Sequence, residues 1–122
     1  MTEECRQLDK KYKRFLQIGI DIEKKTDAIK TYETLSEYSN FAKEHIERVK
    51  SEIKDLECEK ERLLIDIMND FQLVDNIKWY QILKAFYIDG SAWNVIAEDI
   101  GFDERYTVKL RDKALVEIVG KK

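Results

Sequence analysis

The sequence contains no proline and only four glycines among its 122 residues, so residues that interrupt helices are scarce. Charged side chains make up 39% of the chain and hydrophobic ones 43%. With this balance, helices can bury one face and cover the other with charge. We therefore predict an all-α protein.

Side chains that bind metals or act as nucleophiles are also few. His45 is the single histidine, and Cys5 and Cys58 lie far apart, outside any Cys-x-x-Cys spacing. These residues cannot supply a zinc site, and the chain has neither a glycine-rich phosphate loop nor a recognisable nucleophile context. The many carboxylates are expected on open helix faces rather than in a dry cleft. We predict two reduced thiols, no metal, no cofactor and no enzymatic activity.

Long hydrophobic runs are missing as well. No stretch of roughly 18 apolar residues occurs, which is the length needed to cross a membrane. The first residues, Met-Thr-Glu-Glu, lack the basic and apolar parts of a signal peptide. We expect a soluble, cytoplasmic protein with no membrane partner.

The chain has no excess of basic side chains, because 22 lysines and arginines stand against 25 acidic residues. Proteins that contact phosphates usually carry a positive excess, so the total argues against simple DNA binding. The segment from Asp103 to Lys122 differs, since six basic side chains there stand against four acidic ones. We expect any DNA affinity of this segment to be modest and steeply dependent on salt.

Two rows of mostly apolar residues at heptad-like spacing run through the first part of the chain. The first row consists of Leu8, Tyr12, Phe15, Gly19, Ile22 and Ile29. The second row consists of Ala42, Ile46, Val49, Ile53, Leu56, Lys60, Leu63 and Ile67. We predict that residues 1–70 form a helical hairpin or coiled coil used for interaction. The rows pair either within one chain, as an intramolecular hairpin, or between two chains, as a homodimer.

The end of the first helix can be placed in two ways. Ser36, Ser39 and Asn40 offer the side-chain oxygens of an N-cap, which predicts a turn at about residues 36 to 40. The phase of the neighbouring apolar residues leaves a turn nearer Lys24 to Asp27 as the alternative.

Apolar residues at spacings of three and four predict three short helices in the last part of the chain. The three sets are Trp79, Leu83 and Phe86; Trp93, Ile96, Ala97 and Ile100; and Leu110, Ala114, Leu115 and Ile118. Residues 75–122 are thus expected to form a separate three-helix domain.

The breaks between these helices are marked by glycine followed by a capping residue. Gly90 with Ser91, and Gly101 with Asp103, combine a residue that tolerates left-handed backbone with an N-cap oxygen. The second break is so short that the two flanking helices must cross steeply, with the small Ala97 where their backbones approach. This arrangement predicts a helix-turn-helix, whose second helix can lie in a DNA major groove. A plain three-helix bundle without a nucleic-acid role is the alternative.

Several residues of this segment resemble a known DNA-binding module. They are Tyr87-Ile-Asp-Gly, Trp93, Ile96-Ala97, Ile100-Gly101-Phe102, Glu104-Arg105-Tyr106, Lys109-Leu110 and Ala114-Leu115. The pattern is similar to region 4 of sigma-70 factors and, more closely, to the ArpU-like family of small phage and prophage transcription regulators of Gram-positive bacteria. The resemblance covers roughly residues 75 to 119.

The resemblance implies a phage-type transcription regulator in the cytoplasm of a bacterial host. It would bind promoter DNA, as double-stranded DNA, alone or together with host RNA polymerase. The implied recognition helix runs from about Glu104 to Val119. Its core face would comprise Thr107, Leu110, Ala114, Leu115 and Ile118. Its exposed DNA-binding residues would be Arg105, Tyr106, Lys109, Arg111 and Lys113.

The sequence departs from the sigma pattern at several positions, among them Ala92, which occupies the usual capping position before Trp93, and Asp103, which replaces the common Ser/Thr cap. Glu104, Tyr106 and Val108 stand where sigma factors commonly carry basic residues. This departure favours an alternative: a helical interaction protein that binds RNA polymerase or another host protein without sequence-specific DNA binding. A phage packaging subunit is a third reading, although the DNA module of such subunits usually comes first in the chain.

Overall fold

The computed structural model describes residues 1–37 and 39–122, and every regular element within them is helical. The α-helices are α1 Glu3–Leu35, α2 Asn40–Phe71, α3 Ile77–Leu83, α4 Trp93–Ile100 and α5 Glu104–Lys121. A π-helical turn, Lys84–Ile88, continues α3. The predicted all-α class is confirmed. No helix of the described part combines the length and apolar character that a membrane crossing requires.

The two long helices end and begin on either side of the predicted turn. α1 ends at Leu35 and α2 begins at Asn40, whereas the alternative turn at residues 24 to 27 lies inside α1 and is wrong. The hydroxyl of Ser39 accepts a long hydrogen bond, 3.4 Å, from a backbone N–H in the first turn of α2. Tyr38, within the predicted turn, lies outside the described residues.

The chain divides into two compact units that cut across both long helices. One unit contains Met1–Leu16 and Leu64–Lys122, and the other contains Gln17–Leu63. The first turns of α1 and the last turns of α2 therefore belong with the three C-terminal helices. The predicted division into an interaction region, 1–70, and a DNA-binding domain, 75–122, stays a prediction about function.

The unit Gln17–Leu63 is built from the two long helices alone. Its core consists of Ile29, Ile46 and Val49, with Tyr32 and Ile53 packed against them. The ammonium of Lys25 donates to Glu52 at 2.7 Å, and the rings of Tyr32 and His45 lie 4.3 Å apart. The later residue of α1, Tyr32, contacts the earlier residue of α2, His45, so the two segments run antiparallel.

Gly19 of this unit lies at a close approach between the two segments. A Cβ atom at Gly19 would be 3.3 Å from Nζ of Lys60, a tighter contact than most side chains allow. The glycine therefore leaves room for the Lys60 side chain, which explains why both residues occur in otherwise apolar rows.

The other unit has a core shared by α3, α4 and α5. Its buried centre is formed by Ile82, Ile96 and Leu110, one from each helix. Partly buried side chains around this centre are Trp79, Ala85, Phe86, Trp93, Ile100 and Phe102.

The first turns of α1 complete this unit. Tyr12 is fully buried, and its ring packs edge-on against Phe71 at 5.2 Å and against Tyr87 at 5.3 Å. Cys5, Leu8 and Phe15 are buried on the same helix. The burial of these residues extends the core of the C-terminal helices to a segment from the other end of the chain.

Local capping explains where α3 and α5 begin. The Asn76 side chain accepts from the backbone N–H groups of Lys78 and Trp79, at 3.0 and 3.2 Å. Asp103 accepts from the backbone N–H of Tyr106 at 2.7 Å. Each cap satisfies N–H groups that have no partner within their own helix.

The break before α5 lies where the sequence predicts it. Gly101 ends α4 with φ of 87°, a left-handed conformation that glycine adopts without strain, and Asp103 then caps α5.

The break before α4 differs in one detail. Gly90 has the expected positive φ, 69°, but Ser91 does not cap the next helix. α4 begins at Trp93, and its N-cap residue Ala92 makes no side-chain hydrogen bond. The prediction that Ser91 caps α4 is wrong because the N-cap position lies one residue later, at Ala92. The backbone N–H of Ser91 donates to the carbonyl of Ala85 at 2.9 Å.

Candidate nucleic-acid interface

α5 buries the face that the sequence predicts. Thr107, Leu110, Ala114, Leu115 and Ile118 are all buried, and these positions form one side of a helix. The predicted core face is confirmed.

The opposite face of α5 carries exposed cations. Arg105, Lys109 and Lys113 follow one another at intervals of four residues, and all three are exposed. None of the three forms an ion pair with any residue of 1–37 or 39–122. An unpaired ammonium or guanidinium group keeps its full charge for a partner in solution, so this face is suited to an anionic surface.

The start of α5 forms a shallow pocket that is open to solvent. Its lining consists of Asp103, Glu104, Arg105, Tyr106 and Lys109. The lining thus combines two acidic and two basic side chains with Tyr106, which is 43% exposed.

The ring of Tyr106 packs edge-on against Phe102, with centroids 5.0 Å apart, and the ammonium of Lys78 lies 4.8 Å from the Phe102 centroid. These contacts fix the turn between α4 and α5, while Tyr106 remains 43% exposed.

Arg111 is the one predicted DNA-binding residue that does not lie on the exposed face. Its side chain is only 10% exposed, so the expectation that Arg111 faces solvent is wrong. The reason is helical phase: Arg111 follows Thr107 by four residues and precedes Ala114 by three, and both are buried. This spacing is visible in the sequence and could have placed Arg111 on the core side.

Three polar side chains form hydrogen bonds with the Arg111 guanidinium. Nε donates to Asp112 at 2.7 Å, and Nη1 lies 3.3 Å from both Asp9 Oδ1 and the hydroxyl of Tyr87. Tyr87 in turn donates its hydroxyl hydrogen to Asp9. The positive charge of Arg111 is therefore compensated inside the protein.

Two aromatic rings lie close to the same guanidinium. Its central carbon lies 5.4 Å from the Phe86 centroid and 5.3 Å from the Trp93 centroid. The two rings are stacked on each other, 4.2 Å apart with planes 19° from parallel. This geometry is the cation–π arrangement typical of arginine.

A second buried polar contact joins the two ends of the same unit. The hydroxyl of Tyr12 donates to Asp70 at 2.8 Å, and the ammonium of Lys122 donates to the same carboxylate at 3.0 Å. Burial raises the pKa of Tyr12 far above its usual range, and the hydrogen bond to Asp70 adds to the shift. Burial followed by the bond to Asp9 does the same to the pKa of Tyr87. Both phenols therefore remain hydrogen-bond donors over the physiological pH range.

The C-terminal lysines are also engaged within the chain. Lys121 donates to Asp75 at 2.7 Å, to Glu117 at 3.1 Å and to the carbonyl of Leu73 at 2.9 Å. Lys121 and Lys122 are two of the six basic residues in the segment from Asp103 to Lys122, and both are paired within the chain. The cations left for a partner on α5 are Arg105, Lys109 and Lys113.

Within residues 1–37 and 39–122, no three or more His, Cys, Asp or Glu side chains are placed to hold a metal ion. Cys5 is buried, Cys58 is exposed, and both are free thiols.

Sequence reasoning missed the contribution of α1 to this region. Asp9 and Tyr12 contact residues that follow them by 58 to 102 positions. Heptad spacing marked Tyr12 as a core residue, but no local signal identifies Asp9 as the partner of Arg111.

Comparison of the chain with protein-family models, curated proteins and solved structures finds no match. The resemblance to sigma region 4 and the ArpU-like regulators therefore stays a prediction from sequence.

Proposed function

We propose that the protein is a phage-type transcription regulator that binds double-stranded promoter DNA through a C-terminal helix-turn-helix formed by α4 and α5. The observation that supports this proposal is the exposed row of Arg105, Lys109 and Lys113 on α5, unpaired within the described residues. A helix with cations on its outer face and a tight turn before it fits the major groove of a duplex.

The exposed residues take different roles in this proposal. Arg105 and Lys109 donate to guanine edges or to phosphates, Tyr106 donates its hydroxyl to a phosphate, and Lys113 supplies charge toward the backbone. Arg111 has no place among the DNA contacts, because its guanidinium is enclosed by Asp9, Tyr87 and Asp112.

The unit Gln17–Leu63 serves for interaction in the same proposal. Its antiparallel contacts, such as Lys25 with Glu52, favour a hairpin formed within one chain. Pairing of two such hairpins into a homodimer would place two α5 helices on one DNA site, and host RNA polymerase is the further partner that the sequence resemblance implies.

Replacing both Arg105 and Lys109 by alanine tests the proposal. Wild-type protein should bind duplex DNA measurably at low salt, and the double variant should bind about tenfold or more weakly. A matched control replaces Lys43 and Lys54, two exposed lysines of α2, and should leave binding nearly unchanged. Equal affinity of the wild type and the Arg105/Lys109 variant would mean that the reading face is assigned wrongly.

The second candidate function is a helical interaction factor without sequence-specific DNA binding. The net charge of −3 and the acidic Glu104 in the first turn of α5 favour it. Exposed Leu35 and Phe41, which flank the turn between α1 and α2, would suit a protein partner. Mixing the protein with RNA polymerase and sequencing the DNA retained in the same pull-down separates the two. Retention of polymerase without enrichment of any DNA sequence would favour the interaction factor.

A further inference from the structure

We infer that Asp9, in the second turn of α1, is a positioning residue for the DNA-reading helix and acts by holding Arg111. This inference rests on the proposed function, since it concerns how α5 is fixed for DNA. It gives the first turns of α1 a direct part in the activity of the C-terminal helices.

The Arg111 guanidinium contacts side chains of three other elements in the same unit. Asp9 belongs to α1, Tyr87 to the π-helical turn, and Trp93 to the first turn of α4. The distances to the first two are 3.3 Å each, and the ring of Trp93 lies 5.3 Å away. One side chain on α5 is therefore bound to three other elements at once.

Asp9 is the only one of these partners that carries a compensating charge from another element. Its side chain is 16% exposed, and it accepts hydrogen bonds from Tyr87 and Arg111 on the same oxygen, Oδ1. Asp112 also pairs with Arg111, but it is the next residue on α5 and cannot tie that helix to another. Loss of the Asp9 charge should therefore loosen the attachment of α5 to α1, whereas loss of the Asp112 charge should not.

The geometry allows two roles for Arg111 that predict opposite effects of Asp9. If Arg111 were a DNA ligand restrained by Asp9, removing the Asp9 charge would release a cation and strengthen binding. If Arg111 positions α5, removing that charge disorders the reading face and weakens binding. The low exposure of Arg111 and the two aromatic rings close to it favour the positioning role.

The experiment measures affinity for duplex DNA as a function of salt for wild type, Asp9→Asn, Arg111→Gln and Lys113→Gln. Each phosphate contact contributes about 0.9 to the slope of log affinity against log salt. We expect D9N and R111Q to weaken binding about tenfold at fixed salt with the slope unchanged. K113Q should lower the slope by about one, which provides the reference for a true DNA contact. Stronger binding by D9N, or a reduced slope for R111Q, would overturn the inference.

Two further variants separate positioning from a general loss of folding. Asp112→Asn removes the partner within α5 and should bind as wild type. Asp9→Glu keeps the charge with a longer reach and should recover most of the affinity lost in D9N. Should D9N fail to fold by circular dichroism, D9E and R111Q decide the matter. Full binding by folded R111Q would overturn the inference.

Fluorescence of Trp93 tests the positioning without DNA, in a Trp79→Phe background so that Trp93 alone reports. Releasing Arg111 from the ring should shift the Trp93 emission in D9N and leave it unchanged in Asp112→Asn. If the wild type binds no duplex DNA, the proposed function fails. The attachment of Arg111 by Asp9 is then judged on this emission, and an unchanged spectrum in D9N rejects it.

Discussion

Tyr87 donates its hydroxyl hydrogen to Asp9, a residue 78 positions earlier in the chain. The guanidinium of Arg111, on α5, donates hydrogen bonds to the same two groups. One cluster of hydrogen bonds therefore joins α1, the π-helical turn and the helix that we propose to read DNA. Stability and function of the C-terminal helices should both depend on this small set of polar side chains.

Replacing Tyr87 by phenylalanine should destabilise the protein by about 1–3 kcal/mol. The ring stays, but Asp9 and Arg111 each lose a hydrogen-bond partner in a site that excludes most water. Urea unfolding followed by circular dichroism measures the change. Tyr106→Phe is the matched control, since Tyr106 is 43% exposed, and its unfolding midpoint should stay within error of wild type. Equal midpoints for the two variants would contradict the role given to the Tyr87 hydroxyl.

Alkaline pH should destabilise the fold through the two buried tyrosines. Burial raises the pKa of Tyr12 and of Tyr87 in the folded protein, whereas both ionise near pH 10 when unfolded. Above that pH the unfolded state loses protons that the folded state keeps, so the free energy of unfolding falls as pH rises. For each tyrosine the fall is about half of 1.4 kcal/mol per pH unit at pH 10 and approaches about 1.4 kcal/mol per pH unit above pH 11. Urea titrations between about pH 9 and 11 measure it.

The control for this pH effect is the double variant Tyr12→Phe, Tyr87→Phe. It lacks both phenols, so its stability should fall less steeply over the same pH interval, although lysines still titrate there. Parallel pH profiles for wild type and the double variant would show that these tyrosines do not cause the loss.

Removing the cap of α5 should weaken the fold by about 1 kcal/mol. Asp103 accepts from the backbone N–H of Tyr106 at 2.7 Å, and alanine leaves that donor without a side-chain partner. Ser91→Ala provides the comparison, because Ser91 does not cap α4 and its loss should be nearly neutral. Thermal unfolding of both variants checks the difference. A larger loss for Ser91→Ala than for Asp103→Ala would contradict the capping assignments.

A side chain at Gly101, in the turn between α4 and α5, should destabilise the protein through backbone conformation alone. Gly101 has φ of 87°, yet a Cβ atom there would meet nothing within 4 Å. Gly101→Ala should therefore cost about 1 kcal/mol from backbone strain. Gly120 also has open space but lies within α5, so Gly120→Ala should be neutral or slightly stabilising. Urea unfolding distinguishes them, and equal effects would argue against strain as the cause.

Local signals predicted the features that depend on neighbouring residues. Gly101 and Asp103 mark their own turn because left-handed backbone and side-chain capping are properties of a few adjacent positions. The buried face of α5 followed from spacing alone, and the helix ends at Leu35 and Asn40 agree with the capping residues near them.

Two features differ from what the sequence predicted. Ser91 offers an N-cap oxygen, but the N-cap residue of α4 is Ala92, one position later. The sigma-type resemblance implies an exposed Arg111, although its phase on α5 lies among buried positions. Its charge is compensated there by Asp9, from the other end of the chain, and by the neighbouring Asp112.

Salt-dependent binding of duplex DNA tests the central claim most directly. Wild-type protein should bind with a slope of log affinity against log salt near about −3, one phosphate contact each for Arg105, Lys109 and Lys113. The Arg105/Lys109 double alanine variant should keep only about one third of that slope. Its affinity should be lower by roughly tenfold or more. Absent binding by wild type at low salt, or an identical slope in the double variant, would contradict the claim that α5 reads DNA.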